Sequence, residues 1–176
     1  MRRRQRASLG LGLALMCACG APGTRDGAGP EARDTNHGMA IDFTLESLDG
    51  ELVSLAQFRG KTVLIDFWAT WCPPCIFQVP ELNRFWKAHR DDGVVVLGVA
   101  IDEEGAEVVG PWIEEQKVEY PILLGDDLLA QKYGAIGFPT LVVVRPDGIV
   151  DSLHVGLIEI PDLEAIVERA RAASGA

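Results

Sequence analysis

The chain has 176 residues, 48% of them hydrophobic and 24% charged, which excludes a disordered or fibrous protein and leaves room for one globular domain with an appendage. All 26 acidic residues and 12 of the 16 basic ones follow position 20, so that part carries an excess of 14 negative charges. Such a surface keeps a domain soluble and repels nucleic acid and anionic lipid headgroups.

Residues 1–19 begin with Arg2, Arg3, Arg4 and Arg6 and continue as a short apolar run from Ala7 to Ala18. The run is too short for an ordinary membrane-spanning helix and has the proportions of a secretory signal. Residues 20–38 mix Gly, Ala, Pro and charge without periodicity, the composition of a flexible tether. As a coil they would span on the order of 25 Å. Residues 39–176 remain for the domain.

The domain opens with two alternating runs, 41–45 and 48–55, around Asp49-Gly50, which predicts a β-hairpin. Phe58-Arg59-Gly60-Lys61 turns the chain into an apolar strand over 63–67. Two cysteines three apart follow, Cys72 and Cys75. Ile76, Val79, Leu82, Phe85 and Trp86 then recur at helical spacing, with a kink expected at Pro80. The continuous apolar run 94–101 predicts a buried parallel strand. Next come a helix over 105–116 containing Pro111, a short strand over 120–124, and a short helix over 128–133 ended by Gly134. A strand over 140–144 turns at Pro146-Asp147-Gly148 into a hairpin partner over 149–155. A last helix covers 160–172.

The order of strand, short turn, CxxC and helix carries the chemistry. It places Cys72 at a helix mouth, where unpaired backbone N–H groups and the positive end of the dipole favour a thiolate. In such a setting a thiol pKa falls from about 8.5 into the range of roughly 3.5–7.5. Cys72 is the expected nucleophile and the more exposed thiol. Cys75, one turn further, is the expected resolving thiol. Apart from Cys17 and Cys19 in the leader, the chain has no other cysteine. A CxxC loop is too short to staple a fold, and a zinc site would need two further soft ligands. His37, His89 and His154 show no paired spacing. Redox exchange without metal or cofactor is therefore the reading. Asp66, six residues before Cys72 on an apolar strand, is expected to be buried with a raised pKa. From there it would accept the Cys75 proton. Pro73 and Pro74 stiffen the turn between the cysteines.

The run Phe67-Trp68-Ala69-Thr70-Trp71-Cys72-Pro73-Pro74-Cys75, with Gly137-Phe138-Pro139-Thr140 downstream, resembles the TlpA/ResA-like thiol-disulfide oxidoreductases of the thioredoxin superfamily. The resemblance implies an α/β thioredoxin-like fold. Its central mixed β-sheet is flanked by helices, with an N-terminal β-hairpin and a central helix–strand insertion. It implies a cis-proline at Pro139 facing the CxxC, with Phe138 offering backbone groups to an extended client segment. Trp71, Pro73 and Pro74 would line the client surface and Trp68 the core. Asp66 matches the buried aspartate of thioredoxin by position. Met16-Cys17-Ala18-Cys19-Gly20 resembles a bacterial lipobox, with Cys19 the lipidated residue after the small Ala18. The implied protein is extracytoplasmic, lipid-anchored and monomeric. It would exchange disulfides with protein thiols and be recharged by a membrane redox partner. Gln78 departs from the pattern, since ResA-like members usually carry Glu three residues after the second cysteine. Glutamine cannot shuttle protons, which leaves that work to Asp66. A peroxiredoxin-like peroxidase would need Thr three residues before the nucleophile, and Thr70 lies two before. A Sco-type copper module would need CxxxC with a positioned histidine, whereas the spacing here is CxxC and His154 falls on a strand. The remaining alternative is a tethered thioredoxin-like binding module, copper-chaperone-like or non-catalytic.

Overall fold

All seven residues of the strand that leads to the cysteines, Thr62–Trp68, are buried, because neighbours cover both its edges and both its faces. The structure is a computed structural model and describes residues 38–175. The segment 1–19 expected to be a signal, with Cys19, and nearly all of the expected tether 20–38 lie outside the described residues. In chain order the elements are β1 (Thr44–Ser47), β2 (Leu52–Ser54), β3 (Thr62–Trp68), α1 (Cys75–His89), β4 (Val94–Ala100) and α2 (Ala106–Gln116). They are followed by β5 (Ile122–Leu124), α3 (Asp127–Lys132), β6 (Thr140–Val144), β7 (Val150–Val155) and α4 (Ile160–Ala173). One sheet holds all seven strands in the order β2-β1-β5-β4-β3-β6-β7. β4 runs parallel to β3 and β5, and the remaining pairings are antiparallel. The parallel core strands are the continuous apolar runs of the sequence, as strands covered on both faces require.

This is the predicted thioredoxin-like α/β fold, with β1–β2 as the hairpin and α2–β5 as the insertion. Phe67, Phe85, Leu64, Ile65, Leu82 and Leu97 are among its fully buried side chains. Trimming one such leucine to alanine costs about 2–5 kcal/mol, through lost burial and the cavity left behind.

Local differences from the sequence expectation have local causes. The helix of the CxxC begins at Cys75 and not at Cys72. Pro73 and Pro74 have no N–H to donate, so Cys72 sits in a turn ahead of the helix, closed by Cys75 N–H to the Cys72 carbonyl at 3.1 Å. The helices expected around Pro80 and Pro111 are both present, each with its proline inside it. α2 starts after Gly105, whose φ of 59° and ψ of −134° suit only glycine comfortably. β5 loses its first two predicted residues. Pro121 cannot donate to a ladder, although its carbonyl still accepts from Gly98 N–H at 2.9 Å.

Candidate active site

β3 ends at Trp68, and Ala69, Thr70 and Trp71 carry the chain from the sheet to the first cysteine. Cys72 N–H bonds the Ala69 carbonyl at 3.1 Å, and Phe77 N–H bonds that of Pro74 at 3.0 Å. The segment is thus a run of tight turns winding into α1. Cys72 and Cys75 form a disulfide with a Cα–Cα separation of 5.5 Å. Both are buried, at 4% and 2% exposure. The expected greater exposure of Cys72 is nearly absent in this disulfide-bonded form. The loop is anchored from below by Asp102, which follows β4 and is itself buried. Its carboxylate accepts from Thr70 N–H at 3.1 and 3.2 Å and from the Thr70 hydroxyl. Sequence reasoning missed Asp102. Its signal is an acid directly after an apolar parallel strand, at the end of the sheet where the cysteines also lie.

The peptide bond between Phe138 and Pro139 is cis. Gly156 N–H bonds the Pro139 carbonyl at 2.8 Å, and the Thr140 hydroxyl bonds that of Gly137. These bonds hold the chain on both sides of Phe138. The Phe138 ring meets Trp71 edge-on, with centroids 5.8 Å apart and planes at 77°. Trp71 remains 62% exposed, so the two loops share one exposed aromatic face. Trp68 does the opposite: it is buried and stacks on Trp112 of α2 at 4.4 Å.

Asp66 is 2% exposed. Burial raises its carboxyl pKa and a hydrogen bond from Tyr120 offsets part of that rise, leaving it at about 7. The Tyr120 hydroxyl stands 3.4 Å from Asp66 Oδ2, while Oδ1 has no partner among the described residues. Two residues from Trp68, Asp66 shares the sheet face of that side chain. Asn83 of α1 donates to the Lys117 carbonyl and accepts from Glu119 N–H, each at 2.8 Å, directly before Tyr120. α1 is thereby tied to the segment whose tyrosine reaches Asp66.

Gln78, one turn after Cys75, is buried. It donates to the Ile158 carbonyl at 3.1 Å and accepts from Ile158 N–H at 2.9 Å, so its amide acts as a strand rung pinning the β7–α4 connection to α1. A carboxylate could accept but not donate, which gives the departure from Glu a structural reason. His154 is a buried strand residue bonded to Ser152 at 3.0 Å, and burial lowers its pKa.

A buried disulfide at a helix start, on a loop that meets the cis-proline loop through Trp71 and Phe138, is a bond that an incoming thiol can open by exchange. On this fold that chemistry defines a thiol-disulfide oxidoreductase. The profile of the AhpC/TSA family matches residues 37–153, and the chain belongs to that family. Over 127 residues it is 31% identical to the thioredoxin-like protein YneN of Bacillus subtilis (strain 168), an alignment covering 72% of this chain and 75% of that one. It is 29% identical over 119 residues to the thiol-disulfide oxidoreductase ResA of Halalkalibacterium halodurans, covering 67% of each. Its fold matches the crystal structure of a thioredoxin-family thiol:disulfide interchange protein from Chlorobium tepidum TLS with a TM-score of 0.68. That match has 29% identity and covers 78% of this chain and 98% of the other. The chain is an oxidoreductase enzyme of the thioredoxin class.

Proposed function

We propose that this enzyme exchanges disulfides with protein clients outside the cytoplasm, with Cys72 as nucleophile, Cys75 as resolving thiol and Asp66 as proton acceptor. The observation that carries the reading is the joining of the CxxC loop to the cis-proline loop through Trp71 and Phe138, beside which an extended client segment can lie. In the oxidising direction, a client thiolate attacks Cys72 Sγ and the Cys72–Cys75 bond breaks. Cys75 leaves as a thiolate and is protonated by Asp66. A second client thiolate then attacks the client sulfur and expels the Cys72 thiolate. In reverse, Cys72 opens a client disulfide, Asp66 takes the Cys75 proton, and the Cys75 thiolate releases the client as dithiol. No cofactor enters either direction.

Location rests on the basic, apolar leader of residues 1–19. Lipidation at Cys19 and the tether 20–38 would hold the domain 39–176 near a membrane. A membrane redox partner would recharge the disulfide, and the domain would act as a monomer. Among the described residues no helix is long and apolar enough to cross a membrane.

Trapping tests the roles. Cys75→Ser is expected to accumulate a mixed disulfide between Cys72 and clients, and Cys72→Ser to accumulate none. Equal trapping by both would overturn the assignment. The equilibrium reduction potential of the pair decides direction, a value near about −270 mV marking a reductant and one near about −120 mV an oxidant.

A further inference from the structure

We infer that Tyr120 is a positioning residue for proton transfer, holding one oxygen of Asp66 and thereby setting the pH at which Cys75 resolves a mixed disulfide. The inference rests on the proposed role of Asp66 as proton acceptor.

Tyr120 comes from the connection between α2 and β5 and is 4% exposed. Both of its chain neighbours are tied down: Glu119 N–H to Asn83 of α1 at 2.8 Å, and the Pro121 carbonyl to Gly98 N–H of β4 at 2.9 Å. The ring reaches Asp66 because Gly98, the β4 partner of Asp66, has no side chain. A Cβ there would stand 2.9 Å from Tyr120 Cε2, 2.4 Å from Ile122 Cδ1 and 3.0 Å from Trp68 Nε1. Glycine at 98 is thus required by close approach.

The groups around Asp66 leave Tyr120 as its sole hydrogen-bonding partner among the described residues. β4 offers Gly98 beside it and β6 offers Leu141, neither of them titratable. From α2, Trp112 packs on Trp68, again without charge. At the start of α1, Cys75 is bonded to Cys72 in the oxidised state. No charged side chain contributes to the proton affinity of Asp66, which burial raises and the Tyr120 bond lowers. Burial and the Asp66 carboxylate also raise the Tyr120 pKa, so the phenol keeps its proton and stays a donor across the working pH range. With Oδ2 engaged, Oδ1 is the oxygen available for the Cys75 proton.

The direction of the effect is set by charge. Asp66 must be ionised to accept a proton, so resolution slows as pH falls through its pKa. A phenol O–H stabilises the ionised form, and removing it moves that inflection to higher pH. For Tyr120→Phe the expected rise is about one pH unit, which makes resolution up to about tenfold slower below the inflection. The attack by Cys72 should be unchanged.

The test uses the full chain carrying Cys17→Ser and Cys19→Ser, so that Cys72 and Cys75 are its only thiols. The reduced protein is mixed with 5,5′-dithiobis(2-nitrobenzoate) in stopped flow across pH. The first thionitrobenzoate released reports attack by Cys72, and the second reports resolution by Cys75. In parallel, carboxyl carbon NMR follows Asp66 in the oxidised protein. Tyr120→Phe is expected to raise the inflection of the second release and of the Asp66 resonance together. If Asp66→Asn abolishes the kinetic inflection but Tyr120→Phe moves neither signal, the inference fails and the role of Asp66 stands. If Asp66→Asn keeps the wild-type inflection, the role of Asp66 fails and takes the inference with it. Should Tyr120→Phe fold poorly, 3-fluorotyrosine at position 120, a stronger donor of nearly the same shape, decides. It should move both signals to lower pH, and an unchanged pair of signals overturns the inference.

Discussion

The two sides of the disulfide differ in kind. Outward lie Trp71 and Phe138, an aromatic pair on two loops, one ring 62% exposed. Inward lies Asp66, 2% exposed and bonded to a buried phenol. Trp71 can change with little effect on the fold, because its exposed ring adds little to the packed core. The inward side bears on folding and catalysis together, because an ionisable group removed from water is costly in one protonation state. In the proposed mechanism, recognition takes place where water reaches and proton transfer where it does not.

The largest effect belongs to the bond between the two sides. Cys72→Ser should abolish exchange entirely while leaving the fold intact, as circular dichroism and an insulin-reduction assay would show. Detectable turnover in that variant would remove the nucleophile assignment.

Asp66→Asn sharpens the inward side as a pH-dependent stability effect. The folded pKa of about 7 lies above the ordinary carboxyl value of 3.8, so the folded state holds this proton more tightly than the unfolded chain. That contribution to stability is complete below about pH 4 and is lost as pH rises to about 7. At pH 8 the amide variant should be more stable than wild type by up to about 4 kcal/mol, and at pH 4 nearly equal to it. Urea unfolding at both pH values checks this, and a pH-independent difference would contradict the buried-carboxyl account.

Gln78→Glu probes whether the departure from the family pattern belongs to the chemistry or to the fold. The carboxylate would leave the Ile158 carbonyl unpaired, at a cost of about 1–3 kcal/mol. Denaturant melting should show that loss, while the pH profile of resolution keeps its inflection. A new inflection would instead make position 78 a second proton carrier.

Trp71→Ala breaks the outward side with the smallest effect. Stability should change by no more than about 0.5 kcal/mol. Client affinity should fall by about 1–2 kcal/mol if the ring is a contact anchor, seen as a raised KM for protein substrates with reduction by dithiothreitol unchanged.

The buried strands, the hairpin at Asp49-Gly50, the CxxC and its following helix were all legible in the sequence, because each is written in local periodicity or spacing. Asp66 was legible too, since a lone acid in an apolar strand must lose its water on folding and so stands out from its neighbours. Asp102 and Tyr120 were not singled out. An acid after a strand and a tyrosine before a proline are common, and their partners lie 32 and 54 residues away. Gln78 was noticed as a departure, but its bonding to Ile158, 80 residues on, could not be read from either segment alone.

By itself, then, the sequence determined the fold class, the disulfide pair and the buried acid. These follow from hydrophobic pattern, turn chemistry and short-range spacing, which act between near neighbours in the chain. Only the tertiary structure decided which oxygen of Asp66 is held, what anchors the loop before Cys72, and why an amide stands at position 78. Each of these depends on a hydrogen bond of a few ångströms between distant segments. The packing of α1, α2 and the β7–α4 connection on one sheet is what brings them within reach.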